Sequence, residues 1–407
     1  MTDAPTEIMP ALASELAETA ETQPAFKVGI HAIDESYHRH LAADYWAWRA
    51  VFDNDENAKI TQHPDLVLTE LSFSREAEHH SPTLITCQEK SKTVGAAVLV
   101  PKSIAGEKKF GPAWDLRGYR LAGNRLIGSS DARIQNHLME GISQHLTASK
   151  ADFLLVEDLE STDPLLELAE NGDHNLQAFK PAPFQRRHMI DLPETHDEYW
   201  SKFNSKTRGN RRRAIKQFGD CRLELINKPF QIPDFLANAQ QVSKRSWQSD
   251  LIGLRIQNDE YDTQVFTFLA AQNSLRAYLL WQDDTPVSFC IGTQHNGVFT
   301  YEEVGYDRDF SKKSPGQVLV IKMLEEMYEH NQPAVFDFGG GDAEYKRQFG
   351  TRISESGHVW LLRPGMRSKM IVGYLSGRRA LSQTLRGTLA KFGLLDRVRK
   401  LSRRGVK

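Results

Sequence analysis

The order of strand-like and helix-like segments in this 407-residue chain runs twice, the second time about 180 residues after the first. In the first run, Thr83–Cys87 and Ala96–Val100 read as paired strands and Tyr119–Ala122 as a third. A helix over Ala132–Leu146 follows, opened by the cap candidates Ser129, Ser130 and Asp131, and Phe153–Val156 closes the unit. In the second run, Arg276–Trp281 and Val287–Gln294 are joined by the Asp283–Pro286 turn, and Asn296-Gly297 signals a tight hairpin into Val298–Gly305. A helix then runs from Gly316 to about His330 with Val320, Met323, Leu324 and Met327 on one stripe, and Ala334–Phe338 closes the copy. The side chains of the copies are hardly alike, so the repeat is one of element order. It predicts two lobes of mixed α/β type, each a mixed sheet flanked by helices, and the length supplies ample core for both.

We place the lobes at 26–190 and 191–362, after an acidic disordered arm over 1–25 and before a basic tail over 363–407. The first basic residue is Lys27, so the start lacks the basic, then apolar, pattern of a secretory signal. Formal net charge is −2, but residues 363–407 carry 13 Lys/Arg against the single acid Asp396, a net +12 that leaves −14 on the rest. In that tail Met370, Ile371, Tyr374, Leu375, Leu381, Leu385, Leu389, Phe392, Leu395 and Val398 recur at helical spacings. The pattern suits an anionic membrane surface, tRNA or an acidic protein face, with packing on the first lobe as the alternative. Gly373, Gly377, Gly387 and Gly393 speak against one continuous buried helix there. No stretch approaches the 18 or so apolar residues that span a bilayer. Cys87, Cys221 and Cys290 lie far apart without metal-ligand spacing, and the pairs His38/His40 and His79/His80 lack both that spacing and acid partners. We therefore expect no metal, and a reducing cytoplasmic setting, with the tail able to hold the protein at the inner membrane face.

The segment Gly305–Gly350 carries most of the chemistry. Lys312, Lys313, Ser314, Gly316 and Gln317 stand where a loop enters a helix, and free N–H groups, helix dipole and two ammonium groups at one point are how a phosphate is held. The plainer reading is that Ser314 caps the helix, Pro315 takes its first position and the lysines are solvated. Downstream, a strand ends in Gly339-Gly340-Gly341-Asp342, where glycines permit close approach of a ligand to backbone. Asp337-Phe338-Gly339 is not a kinase signature, because no glycine-rich loop, VAIK-type lysine or HRD loop precedes it. Between the lobes, Arg208, Arg211, Arg212, Arg213 and Lys216 form a second basic cluster, suited to phosphates or simply a solvated helix face.

Together these pieces resemble the BioF2-like acetyltransferase family, a branch of the GCN5-related N-acetyltransferase (GNAT) superfamily close to the FemAB peptidoglycan-bridge transferases. The resemblance rests on Arg208–Arg213, Ser246-Trp247, Gly305-Tyr306-Asp307, Ser314-Pro315-Gly316, and above all Asp337-Phe338-Gly339 with Gly341-Asp342 and Tyr345-Lys346. It covers roughly residues 190–352. It implies two tandem GNAT-like lobes and transfer of an acyl group from an acyl-CoA-type thioester, or from an aminoacyl-tRNA, to an amine or hydroxyl of a small or lipid-linked acceptor. A non-catalytic envelope-associated binding protein is a further alternative, and no stable nucleic-acid complex is expected. Glu302, Glu303, Asp337 and Asp342 are rival bases, with Glu302 and Glu303 on opposite strand faces by simple alternation; Tyr345 and Lys346 complete the catalytic candidates. Arg208, Arg212, Trp247, Gly339 and Gly341 are the acceptor-side candidates. Lys-Lys-Ser-Pro-Gly replaces the fuller Gln/Arg-x-x-Gly-x-Gly/Ala loop of simple acetyltransferases, so the donor is left open between the two classes.

Overall fold

Residues 26–74, 80–104, 115–171, 174–246 and 256–391 are described by the structure, a computed structural model; at 378 and from 381 onward the description is of backbone alone. The first copy contributes β1 (Phe26–Ala32), α1 (Glu35–His38), α2 (Ala43–Asp53), α3 (Pro64–Phe73), β2 (Thr83–Glu89), β3 (Lys92–Ile104), β4 (Leu116–Leu121), β5 (Ile127–Gly128), α4 (Ala132–Ala148), β6 (Leu154–Glu160), α5 (Pro164–Asn171), β7 (Gln177–Phe179) and β8 (Gln185–Asp191). Helices α6 (His196–Ser201) and α7 (Ser205–Phe218) lead into the second copy. It holds β9 (Arg222–Ile226), α8 (Ile232–Lys244), α9 (Glu260–Ala271), β10 (Ala277–Gln282), β11 (Thr285–His295), β12 (Val298–Tyr306), α10 (Pro315–Glu329), β13 (Val335–Asp337), α11 (Glu344–Phe349) and β14 (Arg352–Leu362). Helix α12 (Met366–Lys391) follows.

All of these strands join one sheet in the order β1-β2-β3-β4-β6-β14-β8-β13-β12-β11-β10-β9, with β5 beside β3 and β7 beside β14. Read inward from its two edges, the sheet shows the duplication: β1-β2-β3-β4-β6 answers β9-β10-β11-β12-β13, and each series ends in a parallel pair. The closing strands then change places. β14, from the end of the second copy, pairs with β6 of the first, while β8 pairs with β13. Each half is completed by the other's last strand, so the two lobes form one body.

On one face the lobes also share a core: Trp48, Phe52 and Leu66 from α2 and α3 cluster with Phe235 and Leu236 of α8 and with Phe289 and Ile291 of β11. On the other face α4 covers the first half through Leu138, Met139 and Ile142, and α10 covers the second through Val320, Met323, Leu324 and Met327. Local signals explain the turns that hold these layers. Asn296 and Gly297 both take positive φ, as the two-residue β11–β12 hairpin requires, and the Asn296 side chain donates to the carbonyls of Asp55 and Ala58, tying that hairpin to the first lobe.

Three expectations change. Helix α10 begins at Pro315, and Ser314, in the left-handed region at φ 55, gives it no side-chain cap. Helix α12 runs unbroken through Gly373 and Gly377, where an added side chain would meet open space, and its Ile371, Val372 and Leu375 pack on Leu116, Phe153, Leu155 and Trp360. His40 has an acid partner after all, Asp65 at 2.9 Å, because α3 brings that carboxylate back beside α1; His38 is exposed, and His79 lies outside the described residues. No described helix is long and apolar enough to cross a membrane. Among the described residues no three metal-capable side chains gather, and the thiols of Cys87, Cys221 and Cys290 are free.

Candidate active site

β12 hydrogen-bonds to β13 only along Val298–Thr300, opposite Val335–Asp337. β12 continues to Tyr306 while β13 stops, so the two strands part and leave unpaired backbone facing a gap. Near this point Tyr301, Phe338 and Tyr345 pack on the second lobe's core, with ring centroids 5.5 Å apart for Tyr301–Phe338 and 6.4 Å for Tyr301–Tyr345. Burial pushes the Tyr345 phenol up to about 12, which keeps it a proton donor at neutral pH.

Beside the gap β12 carries a bulge. Ile291 pairs with Glu303 and Gly292 with Tyr301, so Glu302 is an extra residue in the strand. The simple alternation therefore fails. Glu303 stands opposite Ile291, whose side chain is in the core shared by both lobes, and Glu302 accepts a 2.6 Å hydrogen bond from Thr293 on that same face. Both glutamates thus face the side where the lobes meet. Solvent reaches Glu302, yet protein surrounds it on most sides, and that desolvation raises its carboxyl pKa against the lowering effect of the Thr293 hydroxyl.

Asp337 is buried and engaged. Arg187 of β8 donates from Nε to both its oxygens at 3.0 Å and again from Nη2, and Gly339 N–H donates to Oδ1 at 2.9 Å. Nη1 of Arg187 holds Asp158 of β6 at 2.6 Å, whose other oxygen accepts from Ser356 at 2.5 Å. One guanidinium thereby joins β6, β8 and β13. With both oxygens committed, Asp337 has the geometry of an anchor and not of a free base. Gly339 (φ 69) and Gly341 (φ 90) need the left-handed region. Lys346 closes the turn, donating to the carbonyls of Gly340 at 2.9 Å and Gly339 at 3.4 Å, and burial lowers its pKa. Asp342 accepts from His188 Nε2 at 2.9 Å and Arg347 Nη1 at 2.6 Å, which hold its carboxyl below the usual range.

The β12-to-α10 connection is a 3-10 turn, Arg308–Lys313, ending at Ser314. Lys312 is exposed; Lys313 is half-buried, with Nζ 3.2 Å from Gln282 Oε1. Gly316 and Gln317 lie in the first turn of α10, and a Cβ on Gly316 would meet nothing nearer than Tyr306 Cδ1 at 3.7 Å. The equivalent helix of the first lobe, α4, starts differently: Asp131 caps it, accepting from Arg133 N–H at 2.8 Å. A carboxylate thus occupies the anion-binding end of α4, whereas α10 offers an uncapped N-terminus flanked by lysines. The α10 entry therefore has the character of an anion-binding helix start beside the strand gap.

Arg208 and Arg212 are on the accessible face of α7, but Arg211 turns inward among Trp200, Phe203 and Phe349. Trp247 lies outside the described residues; its neighbour Ser246 is buried and bonds Ser243. Sequence reasoning missed Arg187, Asp158 and Thr293, and also Lys59, whose ammonium faces Arg187, Asp158 and Asp337 and is depressed by burial. The Arg186-Arg187-His188 run inside a strand was the one available signal.

Residues 201–347 match the sequence profile of the acetyltransferase (GNAT) domain, and the fold is of the GNAT type. No curated protein sequence matches the chain. Among solved structures, FemX superposes with a TM-score of 0.55 at 14% identity, over 82% of this chain and 96% of its own. A conserved protein of unknown function from Bacteroides thetaiotaomicron VPI-5482 gives 0.50 at 13% identity, over 83% and 100%. A tandem GNAT protein from the clavulanic acid biosynthesis pathway gives 0.45 at 12% identity, over 84% and 99%.

Proposed function

We propose that the protein transfers an acyl group from a CoA-type thioester to an amine of a small or lipid-linked acceptor, with the second lobe catalytic and the first shaping the acceptor side. The observation that carries this reading is the contrast between the two helix entries: α4 is closed by Asp131, while α10 is uncapped, lysine-flanked and next to the only strand pair of the two that parts beside a glutamate bulge. The thioester would supply an activated acyl carbon. Glu302 then takes the proton of the attacking amine, and the parted backbone of β12 orients the acyl carbonyl. Tyr345, whose phenol stays protonated at neutral pH, would return a proton to the departing sulfur. The narrower likeness to BioF2-like transferases finds support in the intact Asp337–Lys346 run, which here builds the glycine turn at the gap.

The test is Gly316→Val. The position has room for the side chain in the free protein, so the variant should melt within a few degrees of wild type, while a CoA-type ligand loses affinity by at least tenfold because the methyls enter the phosphate site. Isothermal titration of the folded variant with unchanged affinity would remove the α10 entry from the donor site.

A further inference from the structure

Lys59 precedes the 3-10 turn Ile60–Gln62 that links α2 to α3, and both lobes fix its position. Its N–H donates to Gln62 Oε1 at 3.0 Å, and Gln62 Nε2 donates in turn to the carbonyls of Ala122 at 3.1 Å and Arg125 at 2.9 Å. On the other side, the carbonyl of neighbouring Ala58 accepts from Asn296, in the hairpin that opens β12. The Lys59 side chain lines a cavity of about 270 Å³ with Asn124, Arg125, Asp158, Glu160 and Arg187. Asp158 holds the left-handed region at φ 49 inside β6, a conformation that a non-glycine residue keeps only where its surroundings impose it.

Lys59 differs from a solvated surface lysine in what surrounds its ammonium. The residue is exposed, as Glu302 is, yet burial and then the Arg187 charge lower its pKa. A side chain open to water and still hemmed in by protein stands in a cleft. There the ammonium meets no acceptor among the described residues, because the nearby carboxylates are committed. Arg187 holds Asp337 and Asp158, and Asp163 accepts from the Leu165 N–H at 2.9 Å. Glu160 stays open, 4.0 Å from Arg187 Nε, and Arg125 is tied to the Asn57 carbonyl at 2.7 Å and lies 3.9 Å from Asp55. Lys59 is the cation left to a ligand, and an oxyanion is what a desolvated ammonium beside a guanidinium attracts.

The strand register relates this cavity to Glu302. Met189 and Thr300 flank Asp337 in the sheet. Arg187 lies two residues from Met189, and Glu302 two from Thr300, both toward the end where β13 stops. Arg187 bonds Asp337, while Thr300 pairs with Thr293, which bonds Glu302, so both side chains share one face. At the usual strand spacing Arg187 and Glu302 stand level with each other, about 10 Å apart.

We propose that Lys59 binds an oxyanion of the acceptor, a phosphate or a carboxylate, and thereby sets the acceptor's amine beside Glu302. This rests on the reaction proposed above and narrows its acceptor to a primary amine that carries an anionic group about 10 Å away.

The full-length chain, without donor, is titrated calorimetrically with 6-aminohexyl phosphate, 8-aminooctanoate and the uncharged 6-aminohexan-1-ol. Wild type should bind at least one charged probe roughly tenfold or more tighter than the alcohol, and the tighter of the two identifies the oxyanion. Lys59→Met, of similar length at an exposed position, should melt like wild type and bind the probes alike, while Lys59→Arg should keep most of the preference. Equal binding of the probes by wild type, no binding, or a preference that survives in Lys59→Met overturns the proposal. Turnover with acetyl-CoA then tests the placement at Glu302. Lys59→Met should raise KM for the charged probe with kcat little changed, and a loss confined to kcat overturns the assignment. If the charged probe binds through Lys59 but is not acylated, the acyl-CoA reading falls and the anion site stands.

Discussion

Glu302, the general base of the proposed reaction, combines two properties that such a role requires: water can reach it, and protein around it penalises its charge. Glu302→Gln should leave donor affinity intact and lower turnover by roughly 10²–10⁴. The pH profile follows from the direction of the shift. The folded-state pKa lies above the ordinary 4.5, so the active, ionised form appears at higher pH than for a free glutamate, and the variant should lack that rising limb. Stability moves the other way. Because the fold favours the protonated carboxyl, stability from this group declines as pH climbs from the unfolded value through the raised one. At neutral pH the glutamine variant should therefore melt no lower than wild type. A lower melting temperature with unchanged kcat would make Glu302 a structural partner of Thr293 instead. The strand and its two glutamates were legible in the sequence, since Val298–Gly305 alternates between turn signals. Their shared face was not, because a bulge is decided by the pairing with β11 and leaves no mark in β12 alone.

Among the elements, the three strands joined by Arg187 are the most sensitive to a single change. Arg187→Met leaves Asp337 buried without its cation, and loss of one member of such a pair costs about 3–5 kcal/mol. Denaturant midpoints at constant slope should show it. The double change Arg187→Met/Asp337→Leu removes both charges and should recover most of that stability. Its turnover then separates roles: near-normal activity in the double variant confirms Asp337 as an anchor, whereas a stable but inactive one would restore it as a base. The motif around Asp337 stood out in the sequence by its glycines, but its partner did not. Arg187 lies 150 positions upstream and reaches Asp337 only because β8 crosses into the other lobe's half of the sheet. An element-order repeat predicts two similar halves and contains no term for exchange of their last strands. The α10 entry was legible for the opposite reason, since Lys312 to Gln317 is a local signal in a contiguous run.

At the scale of the whole molecule, the net +12 of residues 363–407 begins on α12, whose near end is tied to the body. Its first turns belong to the body: Ile371 is buried, Val372 and Leu375 pack against the first lobe, and Arg367 pairs with Asp152 through two hydrogen bonds. Arg379, about three turns beyond Arg367, still reaches the Pro181 carbonyl at 3.4 Å. Met366 and Met370, at 78% and 49% exposure, face outward beside these contacts. A chain ending at Arg363 should therefore melt well below wild type, because Leu116, Phe153 and Trp360 lose their apolar cover, at about 25 cal/mol for each Å² returned to water. A chain ending at Lys391 keeps those contacts while losing six of the thirteen basic residues, and should melt like wild type. If the far part of the tail holds the protein at an anionic surface, flotation with phosphatidylglycerol vesicles should retain the intact chain at low salt and release it as ionic strength rises. The chain ending at Lys391 should float several-fold less at every salt concentration, with unchanged turnover on a soluble acceptor. Equal flotation of the two chains would move the lipid contact onto the body, and no flotation of the intact chain at low salt would leave α12 the single role of completing the first lobe's core.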